Sequence, residues 1–218
     1  ASFSFAAQTA NQILFADYNM VQSEIRWVRN AAMYSADAEP VVNIFNNYFG
    51  GGMGALVFQT IRESKALAYS TFAFYAMPDK KEDPFYTLAY VGCQADKFSE
   101  SVVAMNELLN DLPNVAENIK AARAGIKKDI ETERITQDGI IFNYLAAERK
   151  GITEDIRKKI YTAVDKINYD ELKAFHTANL ANKPYTYCVV ASEKNLPAES
   201  ISKYGEVKKL SLETIFGY

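Results

Sequence analysis

The sequence predicts an α+β domain, with a largely antiparallel sheet and helices layered on one face. Three observations lead to this class. Strand-like segments come in pairs, as in "QILFADY" followed by "SEIRWVRNAAMY" and "STFAFYAM" followed by "FYTLAYVGCQA". The second half has mostly helical apolar spacing, yet it closes on the apolar run "YTYCVVAS". No low-complexity linker or change of composition divides the chain, so residues 1–218 read as a single domain, an arrangement also compatible with two interleaved strand and helix units.

The elements follow in order. Ile25 and Trp27 alternate with Arg26, which is the period of a half-buried strand, and Asn19 marks the turn before it. After Pro40 the apolar positions Val41, Ile44, Phe45, Tyr48 and Phe49 recur at three and four residues, a helix that Gly50, Gly51 and Gly52 end. "GALVFQTIRESKAL" reads as a second helix. Two strands then meet across a turn built from Pro78, Asp79, Asp83 and Pro84. Val102, Val103, Met105 and Leu109 form a helical stripe that Pro113 closes, and Val115, Ile119, Ala122, Ile126 and Ile130 form a longer one. Gly139 and Gly151 bracket a further helix, Thr153 is placed to cap the next, and Asn168 with Glu171 has the form of a capping box. The tail "ISKYGEVKKLSLETIFGY" has no clear period, although its apolar residues suggest packing on the body.

Composition narrows the function classes. The chain is 49% hydrophobic and 23% charged with a net charge of −3, and its lysines and arginines are interspersed with glutamates, which argues against nucleic acid as a partner. No apolar run is long enough to span a bilayer, so the expectation is a soluble chain of the periplasm or cytoplasm, with no membrane span. Cys93 and Cys188 each sit in a strand-like run and read as buried free thiols, with a bridge between neighbouring strands as the alternative.

Gly50 and Gly52 with Ala55 can be fitted to a dinucleotide fingerprint, but the preceding segment has helical spacing and no acidic residue ends a following strand. Metal binding is not expected within this chain, because His176 is the only histidine and reads as a helix-surface residue. No serine nucleophile motif is present. Arg62 and Tyr69 remain. Each has a plain structural account, as a solvated ion pair and a strand aromatic, but guanidinium and phenol together supply directed donors suited to a peptide carbonyl or an oxyanion.

The stretch "NNYFGGGMGALVFQTIRESKALAYS" resembles the second-half domain of pitrilysin/insulinase-type zinc metallopeptidases, the family that includes mitochondrial processing peptidase. The likeness extends from "ILFADYNMVQSEIRWVR" to "PYTYCVVASEKN". In that family two homologous α+β halves enclose a chamber, and the first half carries an H-x-x-E-H helix that binds zinc, a motif missing from this sequence. The resemblance implies that Arg62 and Tyr69 contact substrate and tetrahedral intermediate, and that Gly50, Gly51 and Gly52 line the chamber beside a peptide substrate. It further implies that zinc is bound by an N-terminal half, in cis or as a homologous subunit in trans, with none bound here. The alternative within the family is a non-catalytic structural or peptide-binding partner. Ser64 and Ala66 depart from the usual motif, where a charged residue and a glycine are common.

Overall fold

A computed structural model describes residues 4–217. Residues 1–3 and 218 of the expected single domain lie outside the described residues. Six strands form one sheet: β1 (Gln12–Asp17), β2 (Gln22–Met33), β3 (Ser70–Ala76), β4 (Pro84–Gln94), β5 (Thr186–Ala191) and β6 (Glu206–Leu210). Their spatial order is β3-β4-β2-β5-β1-β6. The pairings β3–β4, β4–β2 and β2–β5 are antiparallel, whereas β1 runs parallel to both β5 and β6. The fold is therefore α+β, with a parallel edge on a mainly antiparallel sheet.

The helices are α1 (Glu39–Phe49), α2 (Phe98–Asn110), α3 (Ala116–Thr132), α4 (Gln137–Arg149), α5 (Ile156–Ala163), α6 (Tyr169–Asn179) and α7 (Leu212–Phe216). Alternate residues of the strands, among them Ile13, Phe15, Ile25, Trp27, Tyr75, Val91 and Val189, are buried in one cluster with Val42, Phe45 and Phe49 of α1 and Val102, Met105 and Leu109 of α2. Burial of each such side chain stabilises the fold by about 1.5–3 kcal/mol relative to exposure. The polar tips of Trp27 and Tyr48 inside this layer are satisfied. Trp27 donates its indole N–H to Asn106 at 2.9 Å, and the Tyr48 hydroxyl donates to the Pro113 carbonyl at 2.5 Å while accepting from the Val115 amide at 3.0 Å. Tyr48 thereby fixes the connection between α2 and α3.

Local signals account for several boundaries. Pro40 stands in the first turn of α1 beside Glu39, and the Asn168–Glu171 capping box starts α6 as its spacing predicts. The cap of α5 is Asp155 and not Thr153, because the Asp155 carboxylate accepts from the Arg157 amide at 3.0 Å. His176 differs from expectation more sharply. It is fully buried, not on a wet helix surface, since α6 turns it between Phe45, Phe49 and the end of α2.

The tail holds more structure than its pattern shows: a 3-10 helix at Ala198–Tyr204, then β6 and α7. Both cysteines are free, and β2 stands between their strands, so a bridge between neighbouring strands is ruled out. Cys93 is buried whereas Cys188 is only half-buried.

Helix α4 stands apart. None of its residues is buried, and Ile140, Ile141, Phe142 and Tyr144 are all largely exposed. It is tied to the body at its end, where Lys150 reaches the buried Glu39 at 3.4 Å, Tyr34 donates to the same carboxylate at 2.5 Å, and the Lys81 amide donates to the Arg149 carbonyl at 3.1 Å. Among the described residues no helix is long and apolar enough to cross a membrane.

Candidate functional site

The glycines close α1 against the edge strand. Gly50 and Gly51 both donate their amides to the Asn46 carbonyl, at 3.1 and 2.7 Å, which ends the helix. The Asn46 side chain then pairs with β3 as a further strand would, accepting from the Tyr75 amide at 2.8 Å and donating to the Tyr75 carbonyl at 3.1 Å. This brings the two backbones together. A Cβ on Gly50 would fall 2.1 Å from the Ala73 carbonyl oxygen, so no side chain fits there. Gly50 is buried, whereas Gly51 and Gly52 are exposed, and a Cβ on Gly52 would meet nothing. Among the glycines proposed to line a substrate chamber, Gly50 therefore has a packing role that accounts for it, a Cβ on the exposed Gly51 would fall 2.8 Å from the Asn46 carbonyl oxygen, and Gly52 alone of the three has open space around it.

The helix expected over "GALVFQTIRESKAL" forms, but in its wider π form across Phe58–Ser64, with the Lys65 amide donating to the Thr60 carbonyl at 3.1 Å. Such insertions are frequent at functional positions. The chain leaves it through Ala66, whose φ of 49° lies in the left-handed region that favours glycine. Leu67 then turns inward, and the Tyr69 amide joins the sheet by donating to the Gly92 carbonyl at 2.9 Å.

Arg62 and Tyr69 stand on either side of this kink, and both are exposed. The Arg62 guanidinium lies 4.9 Å from the Phe58 ring centre and 3.8 Å from its neighbour Glu63, a loose pair that leaves most of its donors to solvent. The Tyr69 hydroxyl accepts from the Gln94 amide at 2.7 Å, which keeps its own proton available to donate. No hydrogen bond or ring contact joins Arg62 to Tyr69 among the described residues. Gln94, Asn46 and the π turn were not identified from sequence. Alternation along "FYTLAYVGCQ" puts Gln94 on the strand face with Tyr90, which was the available signal for it.

The described residues do not assemble a set of zinc ligands. The single histidine uses Nε2 on the Leu108 carbonyl at 2.9 Å inside the core, and no group of three or more His, Cys, Asp or Glu side chains is arranged to hold a metal among the described residues.

Residues 5–124 match the family described as peptidase M16 inactive domain. Among curated proteins no match was found. Among solved structures, the peptidase M16 inactive domain from Pseudomonas fluorescens has a TM-score of 0.72 at 13% identity over 88% of this chain and 46% of that one. A protease from Helicobacter pylori has a TM-score of 0.66 at 11% identity, covering 85% of this chain and 45% of its own. The periplasmic protease PqqL from Escherichia coli has a TM-score of 0.62 at 9% identity, covering 84% of this chain and 21% of its own. The chain thus spans less than half the length of these structures, with which it shares the fold. With the family matching more than half of its length, this chain belongs to the peptidase M16 family, as an inactive domain.

Proposed function

We propose that this chain is the substrate-binding half of a zinc metalloendopeptidase, contributing Arg62 and Tyr69 to a catalytic site whose zinc and general base lie on a companion half-domain, in the same polypeptide or in a partner subunit. The observation that carries this reading is that both side chains are exposed with donors to spare, at the two ends of a kinked segment. The Arg62 guanidinium offers a fixed positive fork and the Tyr69 phenol a single O–H, both able to hold a peptide carbonyl and to bind more tightly as charge develops on its oxygen. Gly52, exposed and with nothing near its missing side chain, leaves backbone open for an extended substrate to pass. The periplasmic relative makes the periplasm a suitable compartment.

The test is reconstitution. The chain is mixed with its companion half and assayed on unstructured peptides, as wild type, Arg62→Ala and Tyr69→Phe. Activity should appear only in the mixture. Loss of one oxyanion donor should lower kcat by roughly 100- to 1000-fold with a smaller change in KM. Wild-type turnover by Arg62→Ala in an assembled complex would refute its role, and no turnover by a verified wild-type assembly would favour the non-catalytic partner reading.

A further inference from the structure

The sheet face turned away from the helices is unusual for an antiparallel sheet exposed on one side, where polar residues are expected. It carries a track of rings. Phe72 on β3 stacks on Tyr90 of β4 at 5.1 Å between ring centres and 25° between planes, and lies 5.5 Å from Phe74. All three rings are half-buried.

The track joins the candidate site at both ends. Toward the glycines, a Cβ on Gly51 would sit 3.4 Å from the Phe74 ring. Toward Tyr69, the Tyr90 ring folds over Gly92, where a Cβ would fall 2.6 Å from the Tyr90 hydroxyl, and Gln94 follows on the same strand face with its bond to Tyr69. A side chain at position 92 would push the Tyr90 hydroxyl aside.

Beside this track stands a cation. Arg26 is exposed, its guanidinium 5.5 Å from the Tyr90 ring centre, and the register places Arg26, Tyr90 and Phe72 in one row across three adjacent strands. Among the described residues no carboxylate lies within ion-pair distance of it, Glu24 on the same strand face included.

We propose that this face reads substrate sequence: it takes an extended peptide that lays an aromatic or large apolar side chain on Phe72 and Tyr90 and sets a carboxylate on Arg26. The proposal rests on the peptide-binding reading above and names its substrate class. Two strand spacings, roughly 10 Å, separate the outer members of the row, so the acidic residue falls about two or three positions from the ring-bearing one. The free positive charge and the continuity with Tyr69 and Gly51 favour a peptide over a second protein body.

The test uses labelled, unstructured decapeptides carrying one Phe and, two or three residues away, either Glu or Lys, titrated into the 218-residue chain by fluorescence anisotropy. A photo-reactive benzoylphenylalanine in place of Phe maps the contact. The Glu peptides should bind about tenfold more tightly than the Lys peptides, from one attractive and one repulsive pair. Replacing the peptide's Phe by Ala should cost about tenfold. Arg26→Glu should reverse the order of the Glu and Lys peptides, Phe72→Ala should weaken both while keeping the order, and cross-links should map to β3 and β4. Equal binding of Glu and Lys peptides with no effect of Arg26→Glu, while Arg62→Ala still weakens binding, would overturn the track and leave the peptide-binding reading standing. Absence of any binding by the folded chain would overturn both. A dimer abolished by Phe72→Ala would assign the face to a second copy instead.

Discussion

The Nε2 atom of His176 lies 2.9 Å from the carbonyl oxygen of Leu108, and because a carbonyl only accepts, that nitrogen carries the proton. Leu108 belongs to the last turn of α2, whose carbonyls have no intrahelical partner. The imidazole of α6 therefore caps α2 from the side. Its Nδ1 is buried with no partner, so a second proton would have nowhere to donate.

This arrangement makes stability depend on pH. Burial holds the His176 imidazole below its ordinary value of 6.5, against the bond to the Leu108 carbonyl, which favours the protonated ring; the Lys173 charge acts with burial and Asp111 against it. The folded state thus binds this proton less readily than the unfolded chain. Its contribution is fully present above 6.5 and is lost as pH falls below it toward the lower folded value. The thermal midpoint should drop between pH 7.5 and pH 5.5. A His176→Leu variant should lose that slope and, with the Leu108 carbonyl left bare, about 1–3 kcal/mol of stability at neutral pH.

Two glycines in one turn should respond differently to the same substitution. Gly50→Ala drives a methyl into the Ala73 backbone and should cost about 3 kcal/mol in urea unfolding. Gly52→Ala meets nothing and should change stability by less than about 0.5 kcal/mol. A substantial effect of Gly52→Ala on peptide turnover, without one on stability, would mark close substrate approach at that residue.

Ala66→Gly should stabilise the chain by about 1 kcal/mol, because it relieves a left-handed alanine at a φ of 49°. Urea midpoints of the two proteins measure this. If Ala66 sets the geometry between Arg62 and Tyr69, the more stable variant should also turn over peptide more slowly in the reconstituted enzyme.

Helix α4 should be the first segment cut by chymotrypsin under native conditions. Phe142 is 70% exposed and Tyr144 66%, and a helix of 13 residues without tertiary cover is marginal in water. Cleavage that instead begins among the buried aromatics, such as Tyr48, would show that α4 is held more firmly than its contacts account for.

Much of this architecture was legible because its periods are clean: the alternation through Ile25 and Trp27, the stripe from Ile119 to Ile126, and the capping box at Asn168 each state a local rule that packing obeys. β6 was not, because "EVKKL" places lysines on a strand at the rim of the sheet, the composition that protects such edges and hides them from pattern reading. His176 was misplaced for a different reason. A lone polar residue on a helix announces neither the carbonyl it will cap nor the aromatic walls around it. At the candidate site, Arg62, Tyr69 and the glycines stood out, but the reason for Gly50 lies 23 residues away at Ala73, and the kink at Ala66 follows from a π turn that leaves no periodic trace.

The placement of β1 governs how such a chain must come together. This strand, residues 12–17, is hydrogen-bonded on one side to residues 186–191 and on the other to residues 206–210. β1 therefore gains no neighbour until residues 186–191 and 206–210 have been made, and until then Ile13 and Phe15 have no sheet to join. Pairings of such wide sequence separation close slowly, so this side of the sheet should be the last to assemble. Removing β6 would strip β1 of one of its two neighbours and bare a new edge.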